Sequence, residues 1–180
     1  MEIKKTRFGD LFLIKHYRNF DERGSFSVIN MSNILSDVVS YKFSFCQDNI
    51  VNSKKMVLRG LHFQKFPYAQ SKLVSVIKGK ILDIAVDLRK ESPTFGNYFS
   101  HELTSNDDTS IFIPRGFAHG YLTLENNTII HYKVDNYYEP SSEVGINFND
   151  PFLNINWKVE LDNLIISDKD LNHKSFDWSN

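Results

Sequence analysis

From Lys72 to Arg89 the chain reads KLVSVIKGKILDIAVDLR, and this alternation of apolar and polar residues at period two constrains the fold more than any other feature. The stretch reads as two strands joined at Lys78-Gly79. Leu82, Ile84, Val86 and Leu88 fall on one face and Asp83, Ala85, Asp87 and Arg89 on the other, so one face is expected to be core. GYLTLENNTIIHYKV, Gly120 to Val134, reads as a second hairpin turning at Asn126-Asn127, because asparagine tolerates the positive φ of tight turns. Its alternation sets Ile130, Tyr132 and Val134 against Ile129, His131 and Lys133. Similar aromatic and β-branched runs recur between turn residues, the pattern of an all-β sandwich or barrel rather than of βαβ units. Helix is expected only at SNILSDVV, beginning near Ser32 or Asn33, and at SDKDLNHKSF near the C-terminus.

The 180 residues suit one domain, taken as 1–180, and no Pro/Gly/Ser-rich linker divides them. With 41% hydrophobic residues and a net charge of -1, neither disorder nor a nucleic-acid partner is indicated. The opening MEIKKTRFGD lacks an apolar signal core and no run approaches a membrane span, so no membrane partner and a cytoplasmic location are expected. The single cysteine, Cys46, excludes an internal disulfide and a cysteine-based zinc cluster, and is expected to be buried and inert.

Short strands with polar groups turned inward suggest a small barrel whose mouth holds a ligand. PRGFAHG, Pro114 to Gly120, matches the P-x-G-x-x-H part of the second cupin motif, and GLHFQ stands where the first motif carries its H-x-H pair. Gln64 occupies the second histidine position, no acidic residue lies between His62 and Asp83, and Lys72 falls where a carboxylate ligand is sought. An ammonium cannot ligate and opposes a dication. No metal is therefore expected.

CQDNIVNSKKMVLRGLHFQ, AQSKLVSVIKGKILDIAVDLRKESPTFGNY, IFIPRGFAHGYLTL, YKVDNYYEPSSEVGINFNDP and ISDKD, in that order, resemble the dTDP-4-dehydrorhamnose 3,5-epimerase family over roughly residues 20 to 170. The resemblance implies a double-stranded β-helix (cupin jelly roll) with short peripheral helices, a homodimer, and a substrate that is a nucleotide-diphospho-4-keto-6-deoxyhexose, turned over without metal or redox cofactor. It implies His62 as the base, Asp170 as its orienting carboxylate, Lys72 as the cation beside O4, and Tyr132 as the proton donor. His119 is implied near the keto sugar, and Arg23, Arg59 and Gln47-Asp48-Asn49 on the diphosphate, sugar or base. Tyr138 is implied to stack on the base, with Glu143 and Lys169 as further contacts. Val28 replaces a family glutamate on the nucleobase and Phe148 a tryptophan, which leaves the nucleotide open. His16, His101, His131 and His173 match no motif and read as structural or surface residues. Other readings are a 3-only epimerase or 3,4-ketoisomerase on a dTDP, UDP or CDP sugar, a metal-dependent cupin, and a non-catalytic sugar-binding cupin.

Overall fold

The computed structural model describes residues 1–178. Its strands are β1 (Glu2–Thr6), β2 (Gly9–Lys15), β3 (Arg18–Asp21), β4 (Gly24–Ser27), β5 (Gln47–Ser53), β6 (Leu58–Gln64), β7 (Lys72–Lys78), β8 (Lys80–Asp87), β9 (Tyr98–Thr104), β10 (Thr109–Ile113), β11 (Phe117–Thr123), β12 (Thr128–Val134) and β13 (Glu143–Gly145). Two short helices, α1 (Ser32–Ser36) and α2 (Asp168–Leu171), fall where the sequence predicts them. A six-stranded sheet in the order β1-β2-β10-β7-β12-β5 faces a five-stranded sheet in the order β13-β6-β11-β8-β9, while β3 and β4 form a separate ribbon. Among the described residues no helix is long and apolar enough to cross a membrane.

Three apolar layers hold this jelly roll together. Val74, Val76, Ile111 and Ile130 of one sheet meet Ile81, Ala85, Leu103 and Phe117 of the other in the middle layer. Leu82, Ile84 and Val86 point the opposite way and are covered by the C-terminal segment through Ile146, Leu153 and Trp157. Leu35, Val39, Tyr41 and Phe43 cover Phe12, Leu73 and Phe112 on the outer face of the six-stranded sheet. The alternation along β8 is therefore real, but both of its faces are buried, Asp83 and Asp87 included.

Neither expected hairpin forms. β7 and β8 belong to different sheets, as do β11 and β12, so Gly79 (φ +82) and Asn127 (φ 56) turn the chain from one sheet across to the other. The residues that favour the turns are correctly placed, because Gly and Asn suit positive φ. Turn chemistry specifies a reversal, whereas the sheet that receives the returning strand is decided by burial of two apolar surfaces against each other. Cys46 is another correction: it is exposed, with its thiol directed at the Val134 carbonyl at 3.6 Å.

One irregularity positions the site. In the β6/β11 pair His62 lies opposite His119 and Arg59 opposite Tyr121, so Gly60 and Leu61 together face Gly120. This bulge lets Arg59 and His62, which strict alternation puts on opposite faces, both reach the cavity between the sheets. Gly60 adopts φ +115, and a Cβ there would lie 2.5 Å from the Gly120 Cα and 2.7 Å from the His119 carbonyl oxygen. Gly60→Ala is expected to cost about 3 kcal/mol or more, from strain plus the clash. Urea denaturation measures it, and a loss below about 1 kcal/mol would show that the bulge relaxes freely.

Candidate active site

The cleft opens between the two sheets and has two lobes of about 300 and 310 Å³ that share His62, Lys72 and Tyr132. Gln47, Asn49, Gln70, Tyr138 and Glu143 line the first lobe. Arg59, His119, Tyr121, Lys169 and Asp170 line the second. His62 and His119 come from the five-stranded sheet, and Lys72 and Tyr132 from the six-stranded one, so a ligand between them meets imidazoles on one side and an ammonium and a phenol on the other.

His62 is built into a pair. Its Nε2 lies 2.9 Å from Asp170 Oδ1, and an ionised carboxylate only accepts, so the ring donates Nε2–H and the lone pair of its neutral form is on Nδ1. Asp170 is 4% exposed, which needs compensation. Its Oδ2 accepts the Gly60 N–H at 3.1 Å, supplied by the bulge, and its own N–H donates to the capping Ser167 Oγ at 3.1 Å. Burial alone would raise the carboxyl pKa, but the His62 hydrogen bond and charge, with Gly60 and Ser167, outweigh it and bring the group down to about 2. Asp170 is thus an anion throughout the working pH range.

A second pair lies behind the first. His119 Nε2 and Asp83 Oδ2 are 2.8 Å apart, both residues are buried, and Asp83 Oδ1 has no hydrogen-bond partner among the described residues. Burial, opposed by Asp83, holds His119 below its ordinary value, so its ring is neutral near pH 7. Lys72 shares this environment. Burial pulls its amine down to about 8, with Asp83 and then Glu143 opposing. Burial raises Tyr132, Arg59 opposing, so its phenol keeps its proton at neutral pH.

The mouth is braced by Gln64. Its amide nitrogen donates to the Tyr68 carbonyl at 2.6 Å and the Tyr137 carbonyl at 3.1 Å, and its oxygen accepts the Glu139 N–H at 2.8 Å. Both ends of the amide are therefore used in holding the segment that presents Tyr138. The Tyr138 hydroxyl, on a half-exposed ring, donates to Glu143 Oε2 at 2.7 Å, and Lys169 pairs with the same carboxylate.

Two residues named from the sequence are not in this cleft. Arg23 sits at the tip of the β3/β4 ribbon, pairs with Asp21 and lines neither lobe. The Asp48 carboxylate points to the outer face, where it meets His131 at 2.8 Å and also Lys133, as alternation between Gln47 and Asn49 requires. Val28, 43% exposed, also lies off the cleft, and Phe148 is packed beneath the five-stranded sheet. Three residues were missed. Asp83 was legible only as an acidic residue inside an apolar run. Tyr121 puts into the second lobe a buried hydroxyl with no hydrogen-bond partner among the described residues. His173 stands edge-on to His62 with ring centroids 5.3 Å apart.

A jelly roll whose cleft faces a histidine–aspartate pair with an ammonium and a phenol is a cupin equipped for proton transfer at carbon, the chemistry of an isomerase. A model of the family described as dTDP-4-dehydrorhamnose 3,5-epimerase matches residues 5–177. The chain belongs to that family and is an epimerase. It is 40% identical to the dTDP-4-dehydrorhamnose 3,5-epimerase of Shigella flexneri over 98% of this chain and 96% of the relative. The crystal structure of the corresponding epimerase from Elizabethkingia anophelis superposes with a TM-score of 0.93 at 40% identity, covering 98% of this chain and 96% of that one. A dTDP-6-deoxy-D-glucose-3,5-epimerase from Legionella pneumophila, solved in complex with dTDP-4-keto-L-rhamnose, gives 0.91 at 37% identity over 97% and 92%.

Proposed function

We propose that the protein inverts C3 and C5 of dTDP-4-dehydro-6-deoxyglucose to give dTDP-4-dehydrorhamnose. The observation that carries this reading is that the base and the acid stand on facing sheets across one cleft. The C3 and C5 protons flank the C4 ketone. His62 Nδ1 takes one of them, the C–H electron pair moves into the ring as an enolate, and charge gathers on O4. The Lys72 ammonium stabilises that oxygen, and the Asp170 carboxylate stabilises the imidazolium on His62. Tyr132 then delivers its proton to the same carbon from the opposite side, which inverts the centre. The cycle closes when His62 releases its proton and Tyr132 recovers one from solvent. Every step is a proton transfer, so no redox partner is consumed.

His119 and Arg59 are assigned to the sugar and diphosphate, and Tyr138, Gln47 and Asn49 to the nucleotide, with the Glu143–Lys169 pair closing the mouth. A guanidinium fork suits phosphate oxygens. A homodimer, a cytoplasmic location and one catalytic domain over residues 1–180 belong to the same proposal. Exposed Tyr17, Phe20 and Phe26 on and beside the β3/β4 ribbon support association, since a monomer leaves all three in water.

The experiment is incubation with dTDP-4-dehydro-6-deoxyglucose in heavy water, following C3 and C5 by NMR. Deuterium is expected at both carbons with inversion at both. Label and inversion at C3 alone would make the protein a 3-epimerase, and no label at either would remove the enolate mechanism.

A further inference from the structure

We propose that His62, Asp170 and His173 together form a binding site for one divalent zinc ion, and that zinc bound there turns the catalytic base off. His173 follows α2 three residues after Asp170, and this return of the chain brings a second imidazole to the carboxylate that His62 already uses. Asp170 Oδ1 lies 2.9 Å from His62 Nε2 and 3.6 Å from His173 Nε2. The three donor atoms all lie within 4.8 Å of one another. Tetrahedral zinc with nitrogen and oxygen ligands at about 2.0 to 2.2 Å separates them by about 3.3 Å, and the carboxylate's distances to the two rings fall on either side of that value.

Two further observations point to a ligand. His173 Nε2 is buried and has no hydrogen-bond partner among the described residues, which leaves a ring nitrogen beside the carboxylate free for a ligand. The ring is also held in place: a Cβ on Gly145, the residue opposite His62 in β13, would meet its Cε1 and Nε2 at 2.1 Å. Two imidazoles and one carboxylate form a set that zinc accepts, with a fourth position left for water.

The effect on the base follows from tautomer chemistry. With Nε2–H donated to Asp170, the His62 lone pair sits on Nδ1. Zinc takes its lone pair at Nε2, so the neutral ring must carry its proton on Nδ1, and an N–H cannot accept a proton from substrate. The proton moves from one ring nitrogen to the other, and no bond to substrate forms or breaks. Binding stands on the geometry alone, whereas inhibition rests on the proposed role of His62 as base.

The test uses the full chain and three readings: zinc affinity by competition with a chromophoric chelator, the visible spectrum of the cobalt-substituted protein, and epimerisation with and without zinc. One zinc per chain is expected, with a tetrahedral cobalt spectrum and inhibition that EDTA reverses. His173→Phe keeps a ring against Gly145 and removes the nitrogen, so it should weaken zinc binding about tenfold or more and shift the inhibitory zinc concentration equally. His173→Ala gives the same reading should the phenylalanine variant misfold. Unchanged zinc affinity in a folded His173 variant, or no binding by the wild-type protein, would overturn the site. Zinc that binds through His173 yet leaves epimerisation intact would overturn the inhibitory half, while the base assignment is tested separately by His62→Ala.

Discussion

His62→Ala is expected to lose epimerisation and solvent deuterium uptake together, by about a hundredfold to ten-thousandfold, the usual effect of removing a general base. No enolate forms without a base, so neither carbon can exchange. Tyr132→Phe should behave differently. The phenyl ring preserves the packing of Tyr132 against the middle layer and only the hydroxyl is lost, so His62 still makes the enolate but nothing protonates it from the far sheet. The enolate then takes its proton back from the face it left. Deuterium should enter C3 or C5 with little net inversion, provided that His62 exchanges its proton with solvent before returning it. Equal loss of exchange and inversion in Tyr132→Phe would remove its assignment as the acid. Inversion surviving in His62→Ala would remove the base.

Lys72→Met is expected to lower the rate by about a hundredfold to a thousandfold, the range for deleting one donor to a developing oxyanion, while making the protein more stable. The sign follows from the amine, which burial brings from 10.5 to about 8. Below pH 8 the folded chain must keep a desolvated charge, which opposes folding. Between about 8 and 10.5 the unfolded chain holds a proton that the folded chain has released, so stability rises with pH through that window. The full shift corresponds to about 3 kcal/mol at neutral pH, and water in the partly open cleft reduces this to about 1 to 3 kcal/mol. Thermal unfolding at pH 7 should therefore show a higher midpoint for Lys72→Met, and wild-type activity should fall as pH rises through about 8. A methionine variant less stable than wild type would show that Lys72 is held by favourable contacts, contrary to the burial argument.

The stretches around His62, Lys72, Tyr132 and Asp170 are dense in turn and strand signals, and their motifs run in order along the chain, so the family and the jelly roll are legible in the sequence alone. Alternation groups Tyr132 with Ile130 and Val134 on one face, and the structure makes that face the inner one. Asp48 shows where the motif said too little. A run named as a unit, Gln47-Asp48-Asn49, has to send its middle side chain to the other face of the strand, and it does, toward His131 and Lys133. Arg23 shows the other limit. A residue can be read as part of a site although the ribbon that carries it does not reach the cleft of its own chain.

What local sequence determined by itself were the features set within a few residues: period-two strands, the turns at Gly79 and Asn127, the cap at Ser167, and the loss of a ligand position at Gln64. Tertiary structure alone decided which sheet each strand joins, because burial of two apolar faces is a property of distant segments brought together. It alone decided that β8 is covered on both sides, by Ile130 and its neighbours within and by Trp157 from the C-terminal segment without. It also decided the chemistry of the charged groups. Asp83 reads as an ordinary polar position in a strand and becomes a buried partner of His119, and Lys72, which the sequence gives only as a cation, becomes an amine near 8. His173 reads as a structural or surface residue, and the chain after α2 sets it against His62. Desolvation and pairwise charge act over a few ångströms of space, and those ångströms are set by residues as far apart in the chain as His62 and Asp170.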